Sequence, residues 1–241
     1  MSDKLRLISG DASTVLDRLI QEGIEVDMIY TSPNPPFYTR DNADERELTM
    51  KENLGRESNF SDYVNNLMKV FEKARAILKN DGSFWLHAGD YSLYPQGRMN
   101  VPHRIALHMM DKWGWFLNSE LIWFRPEKYK SPKRIRFKKD YENIFFFSKI
   151  DKPKIYDDRY LETSIINAPY IKPVGEWNSG FPEELVHVPI MTCTCPTETV
   201  LDMFMGTGVT GKVALQMGRK FIGIELFPWK TQKTLERLRA I

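Results

Sequence analysis

Seven residues that follow a largely apolar segment could bind and activate an amine. The segment Val26 to Thr31 is followed by Ser32, Pro33, Asn34, Pro35, Pro36, Phe37 and Tyr38. Three prolines fix the backbone and remove N–H donors, which leaves carbonyl oxygens free to accept hydrogen bonds. A hydroxyl or amide beside them can accept from an NH₂ group, and an aromatic ring can stack on a base. This combination predicts a site for the exocyclic amine of a nucleobase.

A second group of residues, near the C-terminus, combines glycines with two acidic side chains. The segment TVLDMFMGTGVTG places Gly206, Gly208 and Gly211 between an apolar strand and a helix. Glycines let the backbone turn sharply and approach a ligand, and the N-terminus of the helix offers unpaired N–H groups. Asp202, four residues before the first glycine, suits a ligand that carries an ammonium group. Glu225 ends the next predicted strand and could hold ribose hydroxyls.

The glycine spacing also fits a different class of protein. It satisfies the G-x-G-x-x-G fingerprint of dinucleotide-binding proteins, in which Glu225 would again bind ribose. An NAD-dependent oxidoreductase is therefore an alternative. That alternative would place a pyrophosphate near Asp202, and it leaves the proline-rich segment unexplained.

A third segment is strongly basic. Residues 125–139 carry eight Lys and Arg residues against one Glu, with Tyr129, Ile135 and Phe137 between them. Such a stretch can neutralise phosphates and insert side chains beside a displaced base. The predicted DNA-contacting residues are Arg125, Lys128, Lys130, Lys133, Arg134, Arg136, Lys138 and Lys139. A solvated basic loop without a nucleic-acid ligand is the alternative interpretation.

Alternating strands and helices must position these three segments. Short β-type apolar runs alternate with longer helical stretches, which is typical of an α/β fold with a mostly parallel sheet and helices on both faces. The predicted strands are Leu5 to Ser9, Val26 to Thr31, Ser83 to Ala88, Phe116 to Phe124, Asn143 to Ser148, Thr199 to Phe204 and Phe221 to Glu225. The predicted helices are Ala12 to Glu22, Phe60 to Lys79, Pro102 to Trp113, Pro182 to Thr192, Gly208 to Met217 and Pro228 to Ala240. We expect Asn80-Asp81-Gly82 to stop the second helix.

Composition indicates the class of protein. The chain has 241 residues, 42% of them hydrophobic and 27% charged, which suits one domain over residues 1–241. The net charge of +2 is too small to indicate a nucleic-acid partner by itself. No apolar run approaches the roughly 20 residues of a membrane span, so we expect a soluble, cytoplasmic protein without a membrane partner. Cys193 and Cys195 and four scattered histidines show no metal-ligand spacing, so no metal site is predicted.

The order of these segments resembles the amino-methylating DNA methyltransferases of the β group. In that family a Ser/Asp/Asn-Pro-Pro-Tyr/Phe motif is catalytic, and a later Asp-x-Phe-x-Gly-x-Gly motif binds S-adenosylmethionine. The resemblance covers nearly the whole chain and includes Gly10 to Ala12, Arg75 to Ser83 and Phe181 to Leu185. It implies a Rossmann-like methyltransferase fold, S-adenosylmethionine as cofactor, and double-stranded DNA with a flipped target base as substrate.

The resemblance also implies roles for individual residues. It assigns cofactor contacts to Asp11, Ala12, Phe181, Asp202, Phe204, Gly206, Thr207, Gly208, Thr210 and Glu225. It makes residues 125–180 a DNA-contacting loop and target-recognition insertion within the single catalytic domain. A homodimer and a cognate restriction endonuclease, as in restriction–modification systems, are compatible with it.

The catalytic motif departs from the family pattern by two additional residues. Ser32-Pro33 fits the cytosine type, whereas Asn34-Pro35-Pro36-Phe37 is itself a complete adenine-type motif. Ser32 directly continues the predicted strand, so cytosine N4 is the favoured target and adenine N6 the alternative. Because the motif is irregular, a catalytically silent DNA-binding module that retains the fold is a further alternative.

Overall fold

The computed structural model describes residues 4–36, 54–90, 92–93, 97–125, 140–169 and 181–241. The strands are β1 (Leu5–Ser9), β2 (Val26–Thr31), β3 (Leu78–Ala88), β4 (Ser92–Leu93), β5 (Gly97–Arg98), β6 (Phe116–Phe124), β7 (Tyr141–Ser148), β8 (Ile165–Asn167), β9 (Thr199–Asp202) and β10 (Lys220–Glu225). The helices are α1 (Ala12–Gln21), α2 (Phe60–Ile77), α3 (Val101–Trp113), α4 (Glu184–Cys193), α5 (Val209–Gln216) and α6 (Pro228–Arg239), with a 3₁₀ turn at Asp158–Glu162.

Eight of the described strands form one mixed sheet in the order β1-β10-β9-β2-β3-β7-β6-β8. Strands β1, β10, β9, β2 and β3 run parallel to one another, whereas β7 pairs antiparallel with both β3 and β6. Strand β8 pairs parallel with β6 at the far edge. The predicted α/β fold with a mostly parallel sheet is confirmed.

Helices cover both faces of this sheet. On one face, apolar side chains of α1, α2 and α3 pack against sheet residues such as Ile29 and Phe84. On the other face, α4, α5 and α6 pack against residues such as Met28 and Phe146. Adjacent residues of β2 therefore enter opposite cores, because successive side chains of a strand point to opposite faces. This two-sided burial explains why the central strands are apolar almost throughout.

The topology opens a crevice between β2 and β9. The chain leaves β9 through α5 and joins the sheet on one side as β10, whereas it leaves β2 toward α2 and joins on the other side as β3. The two connections diverge at the carboxyl ends of adjacent parallel strands. Ligands of open α/β sheets bind at such a switch point. Asp202 ends β9 and Thr31 ends β2, so both lie at this crevice.

The end of the second helix differs from the prediction. Helix α2 ends at Ile77, and Leu78 already begins β3, which extends to Ala88. The expected stop signal, residues 80–82, lies inside a bulge, because Val26 pairs with Leu78 but Met28 pairs with Ser83. The helix therefore ends where the chain first pairs with β2, before the Asn-Asp-Gly sequence is reached.

Strand β9 ends two residues earlier than predicted, at Asp202. The Asp202 carboxylate accepts a hydrogen bond from the backbone N–H of Phe204 at 3.1 Å. This side-chain contact two residues along the chain turns the backbone out of the sheet. Elsewhere the predicted helix and strand bounds agree to within two residues, but the short elements β4, β5 and β8 and the 3₁₀ turn were not predicted.

The range 125–180 is not one continuous insertion. Residues 126–139 and 170–180 lie outside the described residues, but β7 between them is part of the central sheet. Its side chains from Ile144 to Phe147 are buried between β3 and β6, so this part of the range belongs to the core. In the described parts of the chain, no helix has the length and apolar character needed to cross a membrane.

Candidate functional site

One buried hydrogen bond joins the two predicted motifs across the crevice. The Thr31 hydroxyl, at the residue before Ser32, donates to the Asp202 carboxylate at 3.1 Å. The two residues are 171 positions apart in the chain and both are buried. Since β2 and β9 are adjacent parallel strands, their carboxyl ends bring the amine-binding and glycine-rich segments to the same place. The two motifs are therefore close in space.

Asp202 is the most deeply enclosed acid of this site. Its side chain also accepts from the Thr210 hydroxyl at 2.7 Å and from the Phe204 backbone N–H at 3.1 Å. Burial, opposed by these hydrogen bonds and by that of Thr31, raises the pKa of Asp202 to about 6. Burial removes the hydration of the charged form, and the nearby Glu225 carboxylate adds repulsion. A ligand that carries a positive charge would relieve both costs.

Glu225 supplies a second carboxylate at the end of β10. Its two oxygens accept from the backbone N–H groups of Gly206 and Phe227, each at 3.1 Å. The Glu225 backbone carbonyl accepts from the N–H of Gly10 at 2.9 Å. These contacts fix the carboxylate beside the glycine-rich turn, where it can accept hydrogen bonds from ribose hydroxyls.

The glycines of the turn have different physical roles. Gly206 has φ of +49°, and among the described residues a Cβ added there would meet only the Phe204 carbonyl oxygen, at 3.9 Å. The space beside Gly206 is thus open to a ligand. A Cβ on Gly211 would lie 2.5 Å from the Phe221 ring, so that glycine is required for packing of α5 on β10. Gly208 has a left-handed φ of +78°, and a Cβ added there would lie 2.5 Å from the Thr234 side chain.

The remaining predicted cofactor residues surround this turn. Asp11 caps α1, where its carboxylate accepts from the Thr14 N–H at 3.0 Å, and Ala12 is buried in the first turn. Both follow β1, whose Ser9 lies opposite Glu225. Phe204 is partly buried against the core, and Thr207 accepts from Arg237 through its carbonyl at 3.0 Å.

The proline-rich segment predicted to bind the amine leaves β2 after Thr31 and is held by a contact with α2. Pro33 and Pro36 are buried, whereas Ser32, Asn34 and Pro35 are half-buried. The carbonyl oxygen of Asn34 accepts from the hydroxyl of Tyr63 on α2 at 2.8 Å. Burial raises the pKa of Tyr63 and keeps this donor protonated. Phe37 and Tyr38 lie outside the described residues.

An aromatic and polar cluster that the sequence did not predict borders the catalytic segment. His87 is the penultimate residue of β3 and is buried, and its Nε2 lies 2.8 Å from the Glu142 carboxylate of β7. The ring of Phe181, a predicted cofactor residue, packs 5.3 Å from the His87 ring and 5.7 Å from the Tyr30 ring. A signal for His87 did exist, because it is a polar residue at the carboxyl end of an apolar predicted strand.

Arg125 is the one predicted DNA-contacting residue within the described part of the chain. Its guanidinium forms an ion pair with Glu142 at 2.9 Å and lies 5.4 Å from the Trp123 ring. The basic run thus begins directly after β6, with its first residue paired to Glu142 of β7. The other seven predicted contacts, Lys128, Lys130, Lys133, Arg134, Arg136, Lys138 and Lys139, lie outside the described residues.

This arrangement places hydrogen-bond acceptors for an amine beside two carboxylates that suit a cationic ligand. Asp202 and Glu225 give the crevice negative charge, which disfavours a pyrophosphate and favours an ammonium or sulfonium group. Such a crevice can hold a cationic donor next to a bound amine, as group transfer between the two requires.

Sequence comparison places the chain among known proteins. The model of the N6_N4_Mtase family, described as DNA methylase, matches residues 26–228. The Type II methyltransferase M.MwoI of Methanothermobacter wolfeii is 31% identical over 218 residues, which cover 89% of this chain and 30% of M.MwoI. The Type II methyltransferase M.Cfr9I of Citrobacter freundii is 26% identical, with 97% of this chain and 87% of that protein covered.

Solved structures share the fold. The PvuII DNA methyltransferase, described as cytosine-N4-specific, aligns with a TM-score of 0.80 at 23% identity over 99% of this chain and 86% of that chain. The M1.HpyAVI–SAM complex aligns with a TM-score of 0.69 at 18% identity over 97% and 99%. These similarities confirm the methyltransferase fold. Because the family model spans most of the sequence, the chain belongs to the amino-methylating DNA methyltransferases.

Proposed function

We propose that this chain transfers a methyl group from S-adenosylmethionine to the exocyclic N4 amine of cytosine in double-stranded DNA. The observation that carries the proposal is the Thr31–Asp202 hydrogen bond of 3.1 Å. It joins the amine-binding segment to the cofactor motif at the switch point of the sheet. The cytosine-N4 specificity of the structurally similar PvuII DNA methyltransferase supports the choice of base.

S-adenosylmethionine as the cofactor is confirmed at the level of the family. The residues of the crevice fit it, because it carries a cationic ammonium group, a sulfonium and ribose hydroxyls. Asp202 would accept from the ammonium, and Glu225 would accept from the ribose. When bound, it supplies a methyl group that is already activated, so the protein contributes mainly geometry and electrostatics.

The target base would be held by its amine. A base flipped out of the duplex stacks on Phe37 or Tyr38 and donates its amine protons to Ser32 and to the Pro33 carbonyl. Accepting these hydrogen bonds localises the nitrogen lone pair, which ring delocalisation otherwise makes unreactive. Fixing the amine in line with the methyl group removes much of the entropic barrier.

Adenine N6 is the second candidate, since Asn34-Pro35-Pro36 supplies the same groups two residues later. Two contacts favour Ser32. The preceding residue, Thr31, donates a hydrogen bond to Asp202, the carboxylate assigned to the cofactor. The backbone carbonyl of Asn34 accepts a hydrogen bond from Tyr63 of α2. The Asn34 carbonyl therefore faces α2, whereas Ser32 directly follows Thr31, the last residue of β2.

A labelled methyl group tests the reaction. Purified protein, unmethylated DNA and S-adenosylmethionine with a tritiated methyl group should give DNA that retains label. Replacing S-adenosylmethionine by NAD should give no saturable binding in a calorimetric titration. Tight NAD binding without label transfer would favour an oxidoreductase, and DNA binding without label transfer would favour a silent DNA-binding module.

Glu225→Gln should weaken S-adenosylmethionine binding about 10-fold, as the loss of a charged hydrogen bond predicts. A glutamine NH₂ would also face an N–H donor, either Gly206 or Phe227. Calorimetric titration measures the effect. The matched control is Glu198→Gln, since Glu198 also accepts from a backbone N–H, that of Cys195, but lies before β9. If both variants lose S-adenosylmethionine affinity equally, Glu225 is not a cofactor-binding residue.

Neutralising Lys133, Arg134, Arg136 and Lys138 together should weaken DNA binding and flatten its salt dependence. Each lost phosphate contact lowers the slope of log K against log[salt] by about 0.9. Cofactor affinity should stay the same. Lys152 and Lys220, exposed at the amino end of the sheet, are the control charges. An unchanged slope in the quadruple variant would make the basic run a solvated loop.

The resemblance also implies partners beyond DNA. A DNA-contacting and target-recognition role within residues 125–180, a homodimer and a cognate restriction endonuclease stay predictions. Both relatives described above carry Type II methyltransferase names. Sedimentation of the purified chain would test the dimer.

A further inference from the structure

A chain of three polar side chains runs from the start of the basic segment to the catalytic edge of the sheet. Arg125 pairs with one oxygen of Glu142 at 2.9 Å, and the other oxygen lies 2.8 Å from Nε2 of His87. The His87 side chain is 4% exposed, and the side chains of Glu142 and Arg125 are 18% and 19% exposed. All three groups are thus largely shielded from water, which strengthens their interactions.

Glu142 determines which nitrogen of His87 can act. A carboxylate beside Nε2 favours the tautomer in which Nε2 carries the proton and donates it in the hydrogen bond. Nδ1 is then the unprotonated nitrogen, with a lone pair. Among the described residues, buried Nδ1 has no hydrogen-bond partner. A buried acceptor without a partner is costly and points to a ligand or reacting group that completes it.

The unpartnered nitrogen lies at the same sheet edge as Ser32. Strand β3 pairs with β2 so that Leu86 is opposite Thr31, which places His87 level with Ser32. The Phe181 ring contacts both His87 and Tyr30, which share one face of the sheet. The Tyr30 hydroxyl is a second buried polar atom without a hydrogen-bond partner among the described residues. Among the described residues, two polar atoms without hydrogen-bond partners therefore flank the Phe181 ring, next to the amine-binding segment.

Methylation of an amine creates a need for such a group. When the amine nitrogen forms a bond to the methyl carbon, it becomes a cation and must release one of its two protons. The Ser32 hydroxyl and the proline carbonyls can accept hydrogen bonds, but they are too weakly basic to keep a proton at neutral pH. A neutral imidazole is the side chain best suited to accept one there.

We propose that His87 accepts the proton that the methylated amine releases and that Glu142, held by Arg125, positions His87 for this step. The inference rests on the proposed function. The N–C bond forms as the S–C bond of the sulfonium breaks, and the sulfur keeps that electron pair. One N–H proton then passes to Nδ1 of His87. The resulting imidazolium is stabilised by the Glu142 carboxylate, and the proton leaves to solvent after the product departs.

The charged and titratable groups around His87 bear on the pH dependence of methyl transfer. Glu142 faces it from β7, with Arg125 behind that carboxylate, and Tyr30 faces it from β2. Burial, with Asp202 and Glu142 nearby, raises the pKa of Tyr30, so its hydroxyl stays neutral across the working range. Among the described residues, Trp123 and Phe181 are uncharged aromatic neighbours of His87. The pH profile of the methyl-transfer rate is therefore a readout of the His87 step that a purely structural role would not change.

The decisive variant is His87→Gln. The glutamine amide can still donate to Glu142, but it offers no base in place of Nδ1. The single-turnover rate of methyl transfer, with DNA and S-adenosylmethionine saturating, should fall at least about 100-fold, and the acid limb of its pH profile should disappear. Added imidazole should restore part of the rate in His87→Ala, as a positioned base predicts. Cofactor affinity, measured by calorimetry, should be unchanged and reports that the variants are folded.

The matched control is His103→Gln, because His103 pairs with the Glu120 carboxylate at 2.9 Å but lies on α3 with an exposed side chain. It should leave the rate and pH profile as they are.

As a second variant, Glu142→Gln keeps the shape of the side chain and removes its charge. It should lower the rate of methyl transfer without changing the affinity for S-adenosylmethionine. A His87→Gln enzyme with the wild-type rate and acid limb overturns the inference but leaves the proposed function standing. A wild-type chain that transfers no methyl group overturns both.

Discussion

Ser32→Ala should lower the single-turnover rate of methyl transfer about 10²- to 10³-fold, the loss seen when a transition-state hydrogen bond of the oxyanion-hole kind is removed. Ser32 follows Thr31, whose hydroxyl donates to Asp202, so Ser32 lies at the carboxyl end of β2, next to the strand that carries the cofactor motif. The hydroxyl is needed when the amine nitrogen develops charge. Cofactor affinity should not change.

Asn34→Ala is the matched control within the same segment. The Asn34 backbone carbonyl, which accepts from Tyr63, is retained in this variant, so the local fold should persist. The rate should fall much less than in Ser32→Ala. If Asn34→Ala is the more damaged enzyme, the amine is bound two residues later and adenine is the better candidate for the target.

Asp202→Asn should weaken S-adenosylmethionine binding about 100-fold, because a charged hydrogen bond of roughly 1.5–3 kcal/mol is lost at the ammonium group. The Thr210 hydroxyl, 2.7 Å away, can turn to accept from the new amide, so the fold should be kept. Asp27→Asn is the control. Asp27 is also buried and also on this sheet, but it lies at the amino end of β2 and bonds the Thr199 N–H.

The same carboxylate predicts a pH dependence of binding. Burial raises the pKa of Asp202 to about 6, and an ammonium ligand requires the ionised form. Affinity for S-adenosylmethionine should therefore decline as pH falls below about 6, and Asp202→Asn should lack this decline.

The effect of Asp202 ionisation on folding stability has the opposite sign. Because the folded pKa exceeds the ordinary value of 3.8, stability from this group is present at low pH and lost as pH rises through about 6. Calorimetry of ligand-free and ligand-bound protein separates the two, and equal pH slopes in wild type and variant would contradict the assignment.

The sequence predicted those parts of the fold that depend on local pattern. Strands β1, β2 and β6 have the predicted bounds because each is an apolar or alternating run that is followed within two residues by Gly, Pro or a charged residue. Asp202 and Ser32 could be proposed as site residues for a similar reason, since Asp202 lies at the end of an apolar predicted strand and Ser32 directly follows another. Their meeting through Thr31 follows from strand order, which the resemblance to a known family implied.

Contacts between distant segments could not be predicted in this way. Glu142 meets His87 across 55 residues, and only the antiparallel pairing of β7 with β3 brings them together. The end of α2 at Ile77 depends on pairing with β2, which overrides the local stop signal. Strand β8 is three residues long and has no distinct periodicity, so its position beside β6 is a tertiary property.

The nucleosides of methylated DNA test the central claim most directly. DNA from cells that lack other methyltransferases and express this chain would be digested and analysed by mass spectrometry, with Ser32→Ala as the paired control. The account predicts N4-methylcytosine in the wild-type sample and its near absence in the control. N6-methyladenine as the sole product would contradict the choice of Ser32 as the amine ligand, and unmodified DNA from a folded, cofactor-binding chain would contradict the proposed activity.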